Sequence, residues 1–445
     1  MKIVIAGAGA VGTHLAKLLS AENQDIILMD QDKEKLNFSK NNLEMMTMVG
    51  SPTSLKDLND IDVKNTDLFI GVTPDESVNI TACMLAANMG AKKTFARIDN
   101  YEYLLPKNKE FFEKLGINAM VYPEMLAARE IVSAVKRPWV RLWVELCGGA
   151  IILVGVKVRD NSELVNKHLY ELASTQKKFH IVAIKRNSIT IIPNGNDKVL
   201  PEDIVFFSTT KEYVNELPAL TGKENFEVKD VMIMGGSRIA IRTCQYLPDN
   251  TKIKLLEWDK EKCIKLLDKL PKNVTVFNDD GRNTDFLLQE GITDMDAFIA
   301  VTGNSEANIL ACMAAKRFGV RKTVAEVENM DYISMAENLG IGTIINKKLI
   351  TVSNIYRFLL SADVSNIKSL TFANADVAEI IARPNSPITK KEIKKLNLPK
   401  NATLGGLIRN GDPMLIEGDT QIEPYDHVVV FCLDDAIRDI EKYFK

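Results

Sequence analysis

The chain has 445 residues, 46% of them apolar and 26% charged, enough for about three domains of roughly 150 residues each. That apolar share excludes a disordered chain. The net charge of −3, from 56 basic and 59 acidic residues, leaves no electrostatic footprint for nucleic acid, whose binders carry a basic excess.

In chain order, strand-sized apolar runs occur at Lys2–Ala6, Asp25–Met29, Met45–Val49, Leu68–Val72, Thr94–Ile98 and Ala119–Tyr122. Helical patterns such as Gly12–Ser20 and Asn79–Met89 lie between them. Strands alternating with helices predict a doubly wound parallel sheet, and near-continuous apolar strands fit one covered on both faces. An apolar stripe follows at Met125, Leu126, Ile131, Val132 and Val135, on a helix beyond a complete sheet. It needs a partner surface, between repeats or between subunits. Trp139 to Thr210 then holds shorter β-type runs with Pro, Asn and Gly turns, and ends in an acidic turn before an apolar strand, Pro201-Glu202-Asp203-Ile204-Val205-Phe206-Phe207. Trp139 and Trp143 mark the junction with the first module and suit interface packing. Glu216 to Lys229 reads as a linker.

The pattern then repeats. Thr73–Asn100 aligns without a gap on Thr302–Asn329, sharing Asn79 and Asn308, an Ala-Cys-Met run, Gly90 and Gly319. Ile26–Leu36 matches Ile253–Cys263, and the offset from Gly7 to Gly235 is about 228 residues, too long for a solenoid. Leu349, Ile350, Val352, Ile355 and Leu359 repeat the helical stripe, and Pro424-Tyr425-Asp426 repeats the acidic turn. The expected fold is α/β: two tandem repeats, each a Rossmann-like sheet followed by a small β-rich α+β module. The expected boundaries are 1–138, 139–222, 228–365 and 366–445.

Gly7-Ala8-Gly9-Ala10-Val11-Gly12 sits on the first strand-to-helix turn. Gly7 permits the tight turn, Gly9 lets a pyrophosphate approach the backbone, and Gly12 lets the helix pack closely on the strand. The helix N-terminus favours the anion. Asp30 ends the next strand, about 20 residues on, where a carboxylate takes both ribose hydroxyls. A carboxylate there repels a 2′-phosphate, so NAD(H) is favoured over NADP(H). The lesser alternative is that Asp30 caps the helix that begins near Asp32. Gly50-Ser51, Thr73-Pro74-Asp75-Glu76 and Arg97 lie at the ends of other strands and line the same crevice. Arg97 has two candidate partners, a pyrophosphate or a protein carboxylate.

Catalytic chemistry is missing. His168, His180 and His427 occupy polar, turn-like surroundings with no paired acid in register, and read as surface histidines. His14 reads as a helix-surface residue. No GxSxG, HExxH or P-loop pattern occurs. The six cysteines, at positions 83, 147, 244, 263, 312 and 432, show no metal-ligand spacing and read as free, mostly buried thiols. No run of 18 or more apolar residues occurs, and no signal-peptide pattern opens the chain, which points to a cytoplasmic location without a membrane span.

The glycine loop, Asp30, the Val72–Asn79 stretch and Ala96-Arg97-Ile98 resemble the RCK or KTN nucleotide-binding family, and the small modules resemble its C-terminal module. Two pairs in tandem resemble the peripheral subunits of Trk-type potassium uptake systems. The resemblance implies a regulatory subunit without catalysis, a tetrameric ring docked beneath a TrkH-type potassium-translocating membrane protein. It implies NAD(H) at the first site, and ATP or ADP at the first or second. Carried over, Gly7, Ala8, Gly9, Ala10 and Val11 hold the pyrophosphate and Asp30 the ribose, with Thr73, Pro74 and Arg97 completing the crevice. Ser51 departs from the family's usual acid. The second site becomes Gly235, Gly236, Ser237, Arg238, Ile239 and Ala240, then Glu257 and Asp279-Asp280, with two signature glycines replaced and Glu326 in place of Arg97. That site is expected to disfavour NAD(H). The same features leave open a nucleotide-sensing subunit of another cation channel or antiporter, and an unusual NAD-dependent dehydrogenase.

Overall fold

The computed structural model describes residues 1–20, 24–175, 178–187, 189–360, 366–370, 375–433 and 436–445, apart from 41–44. They group into two compact units, Met1–Arg129 with Asn346–Phe358, and Glu130–Ile345 with Leu359–Lys445.

The first unit is built on a parallel sheet of β1 (Lys2–Ala6), β2 (Asp25–Asp30), β3 (Met46–Val49), β4 (Leu68–Gly71), β5 (Lys93–Arg97) and β6 (Ala119–Val121), in the order β3-β2-β1-β4-β5-β6. Strand order reverses between β1 and β4, and ligands of such sheets bind in the crevice at that switch point. The strands read as continuous apolar runs because both faces are covered: Val4, Ile5, Phe69 and Ile70 are completely buried. The helix Ala10–Ser20 turns Leu15, Ala16 and Leu19 inward, and Glu76–Met89 turns Ala82, Cys83 and Ala86. Part of the second repeat completes this unit, since Asn346–Phe358 belongs to it. Phe358 lies 5.3 Å from Phe95 between ring centroids, and the Lys347 ammonium is 3.6 Å from buried Glu124. The second apolar stripe thus finds its partner surface on the first repeat. Leu349, Val352 and Ile355 are buried, whereas the side chain of Leu359 lies outside the described residues.

Among the described residues the second unit holds three sheets. Strands β7 (Leu142–Leu146), β8 (Ile151–Lys157), β9 (Phe179–Arg186), β10 (Ile189–Ile191) and β11 (Ile204–Thr210) pair in the order β10-β9-β11-β8-β7, antiparallel throughout. A second parallel sheet follows: β12 (Asp230–Met234), β13 (Lys252–Leu256), β14 (Val274–Phe277), β15 (Ala297–Ala300), β16 (Lys322–Glu326) and β17 (Thr343–Ile345), in the order β14-β13-β12-β15-β16-β17. The last is antiparallel: β18 (Asn366–Leu370), β19 (Ala375–Ile381), β20 (Ala402–Arg409), β21 (Asp412–Leu415) and β22 (His427–Leu433), in the order β18-β19-β22-β20-β21. The two antiparallel sheets share one core, in which Phe206 and Phe431 meet at 6.0 Å.

The two acidic turns have one structural use. Glu202 and Tyr425 adopt φ of 69° and 72°, which puts the next residue, Asp203 or Asp426, under the sheet. Asp203 accepts two bonds from Arg186, at 2.9 and 2.8 Å. Asp426 takes the same fork from Arg409, at 3.0 and 2.7 Å. A planar guanidinium matches a carboxylate in this two-pronged geometry, which satisfies two buried acids.

The segment read as a linker carries local structure and a tertiary contact. Leu217–Leu220 is a helical turn, and Arg321 reaches back to Glu224 at 3.0 Å and lies over the Phe226 ring.

Candidate functional site

In the first unit the chain leaves β1 through Gly7, whose φ of 118° only glycine adopts without strain. A Cβ there would lie 2.9 Å from the Thr73 amide nitrogen. A Cβ on Gly12 would lie 1.9 Å from the Gly7 carbonyl oxygen, so close helix-on-strand packing requires that glycine. Gly9 differs, because a Cβ there would meet nothing within 4 Å. The space beside its backbone is open, as an approaching phosphate requires. Ala10 and Val11 follow as the first residues of the helix.

Asp30, at the end of β2, is bound by two backbone N–H groups. Its Oδ2 accepts the Ala8 N–H at 2.7 Å and its Oδ1 the Asp32 N–H at 2.9 Å. It therefore ties the glycine loop to the β2 terminus. Across the switch point, the Thr73 N–H and hydroxyl both reach Asn79 Oδ1, at 2.8 and 2.7 Å. The Asn79 amide in turn donates to the carbonyls of Thr73 and Arg97, at 3.0 and 2.9 Å. Buried Asn79 thus clamps the Thr73-Pro74 loop to the end of β5. Arg97 Nη2 lies 3.5 Å from Asp99, and its Nε is buried with no partner. A buried unpaired donor is costly, so an anion there would satisfy it. Ser51, where an acid was expected, receives one from the next helix: its N–H donates to Asp57 at 2.8 Å.

The second repeat reproduces the frame. Gly235 has φ of 100°, Thr302 is held by Asn308 in the same way, at 3.1 and 2.6 Å, and Asn308 donates to the Glu326 carbonyl at 2.9 Å. The contents differ. Ser237 takes the place of Gly9, and its hydroxyl accepts the Ala240 N–H at 3.3 Å, capping the helix Arg238–Tyr246. That occupies a donor that Gly9 leaves free for an anion. Ile239 and Ala240 are buried under the loop.

Glu257 accepts the Gly236 and Asp259 N–H groups at 2.9 and 3.1 Å, and Lys262 Nζ lies 2.6 Å from it. Only 2% of Glu257 is exposed. Burial by itself would raise its pKa, but the Lys262 ammonium and the two amides outweigh it and hold the pKa below the usual carboxylate value. Asp280 takes a two-pronged bond from Arg282, at 3.0 and 2.7 Å, and donates its N–H to Asp279. Glu326 is buried.

The asparagine clamps were the missed residues. Their sequence signal was there: each lies six positions after the threonine in both repeats. Trp258, beside Glu257 and 77% exposed, also escaped the sequence reading.

The histidine expectations need correction. His427 opens β22 with Nδ1 2.9 Å from Glu379 on β19, an acid that only strand pairing brings alongside. His180 lies within β9, not in a turn, and burial lowers its pKa. The cysteines are free, and all but Cys147 are buried. Among the described residues no group of His, Cys, Asp and Glu is arranged to hold a metal, and no helix is long and apolar enough to cross a membrane.

Residues 3–123 and 231–347 match the TrkA-N domain, and residues 153–222 and 377–445 match the TrkA-C domain. The chain belongs to the TrkA family. It is similar to the Trk system potassium uptake protein TrkA of Haemophilus influenzae, at 31% identity over 100% of this chain and 99% of the relative. It is also similar to the TrkA homolog of Archaeoglobus fulgidus, at 30% identity over the whole of both. Among solved structures, the GsuK RCK domain matches with a TM-score of 0.62 at 16% identity, covering 100% of this chain and 94% of that one. The GsuK channel bound to NAD matches with a TM-score of 0.61 at 15% identity, covering 100% and 78%. These likenesses give this TrkA-family chain its RCK fold in both repeats. The curated relatives are named as Trk system potassium uptake proteins.

Proposed function

We propose that this chain is the nucleotide-sensing regulatory subunit of a potassium uptake system, with NAD(H) at the first glycine loop and an adenine nucleotide at the second. The observation that carries the reading is the contrast between the two carboxylates. Asp30 has backbone donors for partners and open space beside Gly9. Glu257 is buried against Lys262, and Ser237 spends a helix N-terminal donor. At the first loop, Gly7 to Val11 would hold a pyrophosphate, Asp30 a ribose, and Arg97 a phosphate or its neighbouring hydroxyls. The fold neighbour GsuK has been solved with NAD and with ADP, which supports both ligand classes. The likeness there is one of fold.

The partner is a TrkH-type potassium-translocating membrane protein, and the working assembly is a tetrameric ring of this chain, peripheral on the inner face of the membrane. A nucleotide shifts such a ring only by its difference in affinity for the two states. Coupling of about 1–3 kcal/mol per site, multiplied over several sites, moves a population far.

The test is potassium flux through the partner in vesicles containing both proteins. Flux should respond to NAD(H) and to ATP or ADP, and the NAD(H) response should vanish in Asp30→Ala. Flux indifferent to every nucleotide, or failure of the chain to co-sediment with its partner, would overturn the proposal.

A further inference from the structure

Away from both glycine loops, six cations gather where the first antiparallel module meets the second parallel sheet, inside the second unit. Arg141 precedes β7, its N–H on the Gly155 carbonyl of β8 at 2.9 Å. Its guanidinium reaches across to the carbonyls of Ile341 and Gly342. Lys322 opens β16 and is 2% exposed, with Nζ 3.3 Å from the carbonyls of Pro138 and Val140. Lys316 rests on the Gly340 carbonyl at 2.9 Å. Lys157, at the end of β8, pairs with Glu202. The Arg159 N–H donates to the Thr221 carbonyl at 3.1 Å, which brings the end of β8 alongside the loop that carries Lys223. Arg159 is exposed and Lys223 half-buried, and neither side chain makes a hydrogen bond or ion pair among the described residues.

The carboxylates that act on Arg141 and Lys223 are Glu202 and Glu337, and Glu337 is already 3.0 Å from Lys185. Of the acids next in sequence to the two outer cations, Asp160 and Glu224, Glu224 is paired with Arg321. Buried cations are ordinarily matched by acids. Here buried Lys322, half-buried Arg141 and exposed Lys316 rest on neutral carbonyls, and the positive charge stays in excess. Burial, then Arg159, Arg141 and Lys157, pushes the Lys223 ammonium down to about 8. Burial also pushes Arg141 down to about 10, and together with Arg141 and Lys223 it lowers Lys322 strongly. Each of these cations is held where its charge is disfavoured, which a bound anion would reverse.

We propose that this seam is a binding site for a multivalent phosphate anion, separate from the two glycine loops. Arg159 and Lys223 supply the direct contacts, and Arg141, Lys157, Lys316 and Lys322 supply the field. A multivalent ligand is implied because one negative charge leaves most of the repulsion in place. Phosphate oxygens suit a mixed set of guanidinium and ammonium donors. A bound anion would also hold the second nucleotide sheet to the first antiparallel module, and by mass action raise the melting temperature.

The probe is inorganic tripolyphosphate, titrated calorimetrically into the full chain at pH 7 with NADH saturating. The expected result is one tripolyphosphate per chain beyond NADH, with affinity at least tenfold weaker in the Arg159→Ala, Lys223→Ala double variant. Arg159→Ala alone removes an exposed, unpartnered side chain, leaves folding intact, and should weaken binding several-fold. ATP titrated the same way identifies the source. If its variant-sensitive binding is tighter than that of tripolyphosphate, the ligand is a nucleotide; if equal or weaker, an inorganic polyphosphate. No binding of tripolyphosphate, or equal affinity in wild type and both variants, overturns the proposal. NADH affinity, measured separately, reports on the glycine loops and is expected to be unchanged by these substitutions.

Discussion

Lys262 Nζ lies 2.6 Å from the Glu257 carboxylate, at the place in the second repeat where Asp30 in the first takes the N–H groups of Ala8 and Asp32. Two carboxylates at equivalent strand ends thus have different capacities. One is half-buried and bound by backbone N–H groups. The other is buried and already neutralised by its own chain.

Asp30→Ala should weaken NADH binding by roughly 10–150-fold, the equivalent of the 1.5–3 kcal/mol that a hydrogen bond to a charged group contributes. Calorimetry on the full chain measures it. The same substitution frees the Ala8 and Asp32 amides, so a modest loss of thermal stability should accompany it. Unchanged NADH affinity would remove Asp30 from the site.

Gly9→Ser and Gly12→Ala should separate binding from stability. The Gly9 Cβ direction is open, so Gly9→Ser should fold with a stability change within about 0.5 kcal/mol and lose NADH affinity. Gly12→Ala places a methyl 1.9 Å from the Gly7 oxygen, and overpacking of that kind costs about 1–3 kcal/mol. Thermal melts beside NADH titrations check both. Equal melting temperatures for the two variants would contradict the packing argument.

Asn79→Ala should destabilise the first unit by about 1–3 kcal/mol, since it strands buried polar groups of Thr73 and Arg97. Asn308→Ala should do the same in the second repeat. Hydrogen exchange at the Thr73 and Thr302 amides measures the loss directly. Full protection of those amides in the variants would refute the clamp.

Two groups set opposite ends of an acid profile. Glu257 has a folded pKa below its ordinary 4.5, so its contribution is present above pH 4.5 and lost as pH falls through the lower folded value. Lys262→Met should abolish that contribution and raise the pH at which acid unfolding begins. His180 is also depressed, from 6.5, by burial. Its neutral form is the stable one, so stability should already decline as pH falls below 6.5. His180→Val should flatten that part of the profile. Melting temperature from pH 7.5 to 4 distinguishes the two, and an identical profile for wild type and His180→Val would exclude the histidine.

The sequence by itself determined the repeat, the parallel and antiparallel modules, and the strand–glycine–helix turn with an acid at the next strand end. Each is local: Gly7 needs a backbone only glycine adopts, apolar runs mark strands covered on both faces, and Asp30 is placed by the length of one helix and one strand. Tertiary structure decided the rest, because the partners are far apart along the chain. Glu379 reaches His427 only through the pairing of β19 with β22. The stripe at Leu349, Val352 and Ile355 found its cover in the first repeat, a choice that periodicity leaves open, since an apolar face specifies that it must be buried and not by what. The cation group needed β8, the Lys223 loop and β16 to meet. Charge counted along the sequence, nearly balanced overall, gives no sign that six cations converge, because electrostatic energy depends on distance in space.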